Sequence, residues 1–203
     1  ALDRLSSQVA AYLQSLAIGP GDLVLVQAHR SVELIVALLA VIKTGAAFVP
    51  LDRQLPLARK EYIARQCNAA LVLSTHPSDS WPILACRVET VAGILASPTA
   101  APFRPVDVSP TDAMYVIFTS GTTGNPKGVV IEHHSVLGLI RLHNRDLEID
   151  ASSRGTLMAA VGFDLSQSEI WSQLLAGGQI QVPADSVLLN SDEFLVFCVA
   201  HEI

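Results

Sequence analysis

Apolar positions recur at helical spacing over residues 2–16, through Leu2, Leu5, Val9, Tyr12, Leu13 and Leu16, and Gly19-Pro20-Gly21 stops the pattern. This predicts an amphipathic helix that packs one face on a core. The short apolar run 23–27 reads as a buried strand, and a second helix is expected over residues 32–44 with Ser31 as its cap. Glu33 in its first turn and Lys43 in its last complement the helix dipole, and Gly45 falls where a left-handed residue is wanted. Residues 46–49 resume the sheet, 58–66 form a helix behind the turn-rich segment 50–56, and 71–73 make the next strand. Later in the chain, 114–118 and 129–131 read as strands and 135–145 as a helix. Strands that alternate with helices imply parallel βαβ units, hence an α/β fold of layered sheets with flanking helices.

Two segments break the pattern. Residues 74–82 and 96–110 are rich in Pro, Ser, Thr and Ala, and the second carries Pro98, Pro102, Pro105 and Pro110. Both read as surface connections, the second dividing one unit into sublobes 1–95 and 111–203.

Composition narrows the class. Half of the 203 residues are apolar, enough for one substantial core and incompatible with general disorder. A net charge of −6 argues against nucleic acid or an anionic membrane as a partner through bulk charge. The longest clean apolar run, residues 34–42, is nine residues, well short of the roughly 20 that span a bilayer. Cys67, Cys86 and Cys198 are odd in number and widely spaced, which predicts reduced core residues rather than a disulfide framework. The chain opens on Ala1 with no targeting segment, so a cytoplasmic protein, excised from something longer, is expected.

The candidate chemistry lies where the 114–118 strand empties into Thr119-Ser-Gly-Thr-Thr-Gly-Asn-Pro-Lys-Gly128. These ten residues hold three glycines, four hydroxyls and Lys127, with no acidic residue before Glu132. Glycines let backbone amides turn inward on an anion, the hydroxyls add donors and Lys127 supplies a full positive charge. The loop is not a nucleotide-triphosphatase P-loop, because Pro126 stands where the second glycine of G-x-x-x-x-G-K-[ST] would be and a strand follows instead of a helix. From chemistry alone, a phosphate cradle and a plain glycine-rich hairpin both remain open.

A second stretch, Val161-Gly-Phe-Asp-Leu-Ser-Gln-Ser-Glu-Ile-Trp171, contains a capping-box pattern, with Ser166 as expected N-cap and Glu169 three residues later, opening a helix to Ala176. Asp164 has two readings, a carboxylate complementing the helix dipole or one that awaits a cation among Phe163, Leu165 and Trp171. Asp52 reads as a strand-end turn residue. Glu132-His133-His134 completes no metal-ligand spacing, and no metal site is assigned.

The 119–128 loop resembles the phosphate loop of the adenylate-forming enzymes, the superfamily of acyl-CoA synthetases, luciferases and peptide-synthetase adenylation domains. Residues 42–52 with Pro56 and Arg59 resemble a stretch of the peptide-synthetase branch, although Arg53 stands where that branch often has proline. Phe163-Asp164-Leu165-Ser166 is similar to the motif by which amino-acid-adenylating domains hold the substrate α-ammonium. The resemblance covers nearly the whole chain and implies the front part of the large N-terminal subdomain of a nonribosomal peptide synthetase adenylation domain.

It further implies that Thr119, Ser120, Gly121, Thr122, Thr123, Gly124, Lys127 and Gly128 bind the phosphates of ATP, which enters with Mg²⁺. Asp164 would anchor the α-ammonium, Leu165 and Ser168 would face the substrate side chain, and Phe163 would flank the carboxylate. An amino acid would be activated as aminoacyl-AMP and passed to the phosphopantetheine of a carrier domain, next to a condensation domain. No catalytic residue is assigned. The chain shows no Tyr-Gly-Pro-Thr-Glu-like or Thr-Gly-Asp stretch and no C-terminal subdomain with its lysine, so the isolated chain, an incomplete subdomain, is expected to be inactive and to need the remainder of its domain. An acyl-CoA synthetase fragment and a non-catalytic remnant or binding module are the alternatives.

Overall fold

A computed structural model describes residues 1–76, 86–97, 99, 101–119 and 126–203. The chain divides into two compact units, Ala1–His133 and His134–Ile203. The first runs α1 (Leu2–Ser15), β1 (Leu23–Ala28), α2 (Val32–Lys43), β2 (Ala47–Asp52), α3 (Leu57–Gln66), β3 (Leu71–Ser74), β4 (Arg87–Thr90), α4 (Val91–Ala96), β5 (Ala113–Thr119) and β6 (Lys127–Glu132). The second holds α5 (His133–Asp146), β7 (Arg154–Thr156), α6 (Asp164–Ala176), β8 (Gln179–Gln181), α7 (Asp185–Leu188) and α8 (Ser191–His201), α5 beginning one residue before the division.

In the first unit the described strands form one sheet in the order β4-β3-β1-β2-β5-β6, parallel throughout except for the antiparallel β5/β6 pair. Alternate residues of each strand serve opposite faces. Leu25, Val49, Leu51, Val72 and Val116 form one buried cluster with Ile63 and Ala64 of α3. Val24, Val26, Phe48 and Leu73 are fully buried on the other face, where α1, α2 and α4 pack on one another, and Phe48 stacks on Tyr115 at 5.4 Å. Burial on both faces explains why these strands read as continuous apolar runs.

Local signals place the helices. Ser31 caps α2 by accepting from Leu34 N at 3.1 Å, and Gly45 adopts φ +80° after the last turn. Lys43 does more than complement a dipole, since its ammonium donates to Asp3 Oδ1, Asp3 O and Ser7 Oγ of α1. Helix α1 stops at Ser15, ahead of the Gly-Pro-Gly segment, because Ala17 turns left-handed at φ 62° and Ile18 N returns to Leu13 O.

Strand β2 runs past the expected end at Val49 and takes in Pro50, opposite Val26. Ala47 N and Arg53 N donate toward β1, so the odd-numbered amides of β2 point that way and the missing N–H of Pro50 falls on the β5 side. On that side the register is confined to Phe48↔Tyr115. The next donor on that side would be residue 50, whose N–H proline lacks, so the β5 ladder stops there while the pairing with β1 continues.

The 96–110 connection does not separate the two units, because β5 beyond it pairs with β2 before it. Its residue Arg104 is bound to α1 at two points: Gln14 Nε2 donates to Arg104 O at 2.7 Å, and Arg104 N donates to Gln14 Oε1 at 3.1 Å. The surface connection expected over 74–82 falls, from residue 77 onward, outside the described residues. In the second unit β7 and β8 pair in parallel around α6, and no helix among the described residues is long and apolar enough to cross a membrane.

Candidate functional site: a lysine hairpin and an acidic helix start

Parallel pairing brings the C-terminal ends of β1, β2, β3 and β5 to one edge of the sheet, the edge at which open α/β sheets bind ligands. Strand β5 reaches it as Thr119 and the chain returns as Lys127, the two being cross-strand partners. Both are exposed. The stretch is therefore framed by a hairpin ladder. Ser120, Gly121, Thr122, Thr123 and Gly124 lie outside the described residues. Gly128 pairs with Phe118, and a β-carbon there would stand 3.1 Å from Phe118 Cζ and from Val116 Cγ1, so a side chain at 128 would make these neighbours shift by a few tenths of an ångström.

Asp52 forms the expected turn, its Oδ1 accepting from Gln54 N at 2.8 Å. His133 is half-buried at the end of the hairpin; burial pushes its pKa down, against the opposing pull of Asp112. The three cysteines are free, as expected, but only partly buried. Burial pushes the Cys67 thiol up to about 11.

In the second unit the 161–171 stretch corrects the capping-box expectation. Helix α6 begins at Asp164, with Phe163 in the cap position and no side-chain cap. Ser166, already inside the first turn and fully buried, donates to Phe163 O at 2.7 Å. Glu169 accepts from Met158 N at 2.9 Å and Ala159 N at 3.0 Å, clamping the segment that leads to Phe163. The Ser-x-x-Glu spacing was visible, but the earlier helix start turns both side chains to other partners. Gln167, between them, donates to Ser166 Oγ and accepts from the Trp171 indole, a buried chain of polar contacts that gave no signal in the sequence.

Phe163 is 66% exposed, Leu165 60% exposed and Asp164 also exposed. Of the four residues of that second reading, Trp171 is buried, whereas Phe163, Asp164 and Leu165 present themselves to solvent at the helix start. Ser168, one turn on, is half-buried. Asp164 complements the dipole of α6 and is open to a cation from outside.

The family model described as AMP-binding enzyme matches residues 1–203. The chain belongs to the AMP-binding enzymes. Among curated relatives of this AMP-binding enzyme, the nonribosomal peptide synthetase TES of Alternaria alternata is 39% identical over 193 residues, covering 94% of the chain and 4% of the relative. The chain therefore spans a small fraction of that relative's length. Among solved structures, the nonribosomal peptide synthetase FmoA3 superposes with a TM-score of 0.89 at 25% identity, covering 100% of the chain and 21% of FmoA3. Its AMPPNP-bound form gives a TM-score of 0.81 at 27% identity over 90% of the chain and 19% of FmoA3. The N-terminal subdomain of Klebsiella oxytoca NpsA, in complex with 3-hydroxybenzoyl-AMSN, gives a TM-score of 0.81 at 28% identity, covering 93% of the chain and 48% of that subdomain chain. The fold of this AMP-binding enzyme is that of the N-terminal subdomain of peptide-synthetase adenylation domains.

Proposed function

We propose that this chain carries the triphosphate and amino-acid contacts of an ATP-dependent adenylation domain. The observation that carries the reading is the Thr119/Lys127 hairpin: hydroxyls and an exposed ammonium at the sheet's ligand-binding edge, without an acidic side chain before Glu132, in a chain matched along 1–203 by the AMP-binding model. This donor set fits a polyphosphate, and the AMPPNP complex of FmoA3 supports ATP as the nucleotide. Thr119, Lys127 and Gly128, with the intervening Ser120 to Gly124, would hold the phosphates of ATP and its Mg²⁺, whose charge offsets that of the phosphates. The carboxylate of an amino acid attacks the α-phosphorus, pyrophosphate leaves and aminoacyl-AMP forms. Lys127 stabilises negative charge on the phosphates, and Asp164 receives the α-ammonium, with Phe163, Leu165 and Ser168 beside the substrate.

The aminoacyl group would then pass to the phosphopantetheine thiol of a carrier domain, in a cytoplasmic synthetase that also holds condensation domains and the remainder of the adenylation domain. The 203 residues alone carry two of the needed contacts and are proposed not to form adenylate. A second reading, an acid without an α-ammonium, is favoured by the 3-hydroxybenzoyl group bound to NpsA; it makes Asp164 dispensable.

The test is Lys127→Ala in the complete domain, measured by amino-acid-dependent pyrophosphate exchange. A hydrogen bond to a charged group is worth about 1.5–3 kcal/mol, so the KM for MgATP should rise at least about tenfold with the fold intact. An unchanged KM would reject the assignment.

A further inference from the structure

The returning arm of the hairpin is held by a helix that contributes none of the residues assigned above. Helix α3 is fixed on the sheet by Ile63 and Ala64, and its first turn is tied down by Lys60, whose ammonium donates to Arg53 O at 2.7 Å. Tyr62 is half-buried against the same cluster as Leu55 and Phe118. With the ring so placed, the Tyr62 hydroxyl donates to the carbonyl of Pro126 at 3.3 Å.

That carbonyl belongs to the peptide unit whose nitrogen is Lys127. The proline ring fixes φ of residue 126 near −65°, which leaves ψ as its one soft torsion. A donor on the carbonyl oxygen restrains that torsion, and ψ of Pro126 sets the direction in which Lys127 leaves the loop. On the other side of Lys127, Gly128 lies against the Phe118 ring. The lysine is exposed, yet the backbone on both sides of it is set by side chains of one packed cluster.

We infer that Tyr62 is a positioning residue for Lys127, acting through the Pro126 carbonyl to aim the ammonium at the triphosphate. This rests on the reading of Lys127 as a phosphate contact. A purely space-filling Tyr62 would need only its ring, which Tyr62→Phe preserves.

The experiment uses the complete adenylation domain and compares the parent with Tyr62→Phe, Lys127→Ala and the double variant. Pyrophosphate exchange gives the KM for MgATP and for the amino acid, and calorimetric titration with AMPPNP gives a direct affinity for variants too slow to assay. Loss of one neutral hydrogen bond should lower the melting temperature of Tyr62→Phe by a few degrees at most and weaken MgATP and AMPPNP about two- to tenfold, with amino-acid KM unchanged. Because the hydroxyl acts through the lysine, Tyr62→Phe should add nothing in the Lys127→Ala background. Unchanged nucleotide affinity in Tyr62→Phe beside a weakened Lys127→Ala overturns the role of Tyr62 alone. A Tyr62→Phe effect that persists in full without Lys127 also overturns it. If Lys127→Ala leaves nucleotide affinity unchanged, the phosphate reading falls and the positioning role falls with it.

Discussion

Phe118 and Gly128 face each other across the β5/β6 ladder, and the ring occupies the space that a side chain at 128 would need. The glycine therefore keeps the ring and the hairpin backbone in close contact. Gly128→Ala should force the Phe118 ring or Val116 to move by a few tenths of an ångström, at a cost of about 1–3 kcal/mol. Calorimetry should show a melting temperature lowered by several degrees. A variant that melts like the parent would mean that Phe118 swings aside freely.

Asp164 is open to solvent at the first residue of α6, where a carboxylate is mildly favourable for the helix whatever else it does. Asp164→Asn separates the two roles. As an ammonium anchor, its loss should raise the KM for the amino acid by tenfold or more and leave that for MgATP unchanged. Equal amino-acid KM values in variant and parent would leave only the dipole role.

Gln173 is buried with its amide between Gly155 and Gly178. A β-carbon on Gly155 would meet Gln173 Nε2 at 2.6 Å, the end of a side chain that can be removed, whereas one on Gly178 would also meet the backbone oxygen of Ser153 at 2.7 Å. Both alanine variants should be less stable than the parent. Gln173→Ala should recover stability in Gly155→Ala and fail to do so in Gly178→Ala, as read from chemical denaturation midpoints.

Cys67, with its thiol pushed up to about 11 by burial, should be protonated at pH 8 and react with iodoacetamide about a hundredfold more slowly than a free thiol of pKa near 8.5. A raised folded pKa favours the neutral form. The stability it contributes is complete below the unfolded pKa, near 8.5, and is lost as pH rises through about 11. Cys67→Ser, compared with the parent from pH 8 to 11, should show a shallower loss of stability.

The helices and strands with strong periodic or capping signals were legible in the sequence: α2 between Ser31 and Gly45, and β1, β3 and β5 as unbroken apolar runs. Strand β2 was cut short at Pro50, because the sequence does not show that the missing N–H faces β5 while the pairing with β1 runs on through Asp52. Strand β4, with exposed Arg87, and the three-residue β7 and β8 carry too few positions to display a period. Helix α8 was missed for another reason: it is apolar on most sides, with Leu195, Val196 and Val199 all exposed, and an all-round apolar helix has no stripe to detect. Lys127 and Asp164 were singled out by residue type and spacing. Tyr62 was not, and Glu169 was noticed only as part of a capping box, since the partners of both are backbone groups brought near them by tertiary structure.

The paired bonds between Gln14 and Arg104 bear on the order in which the protein assembles. The contact closes a loop of 90 residues, and for a flexible chain the length-dependent part of that closure alone costs about 4 kcal/mol. Helix α1 is synthesised before residue 104, and this fastening forms only after residue 104 has followed, several seconds later at about 5–20 residues per second. Until then α1 holds to its neighbours by Lys43 and by its apolar face. Helix α1 is thus made before the segment that secures it, and a chain stalled short of residue 104 would carry it without this fastening.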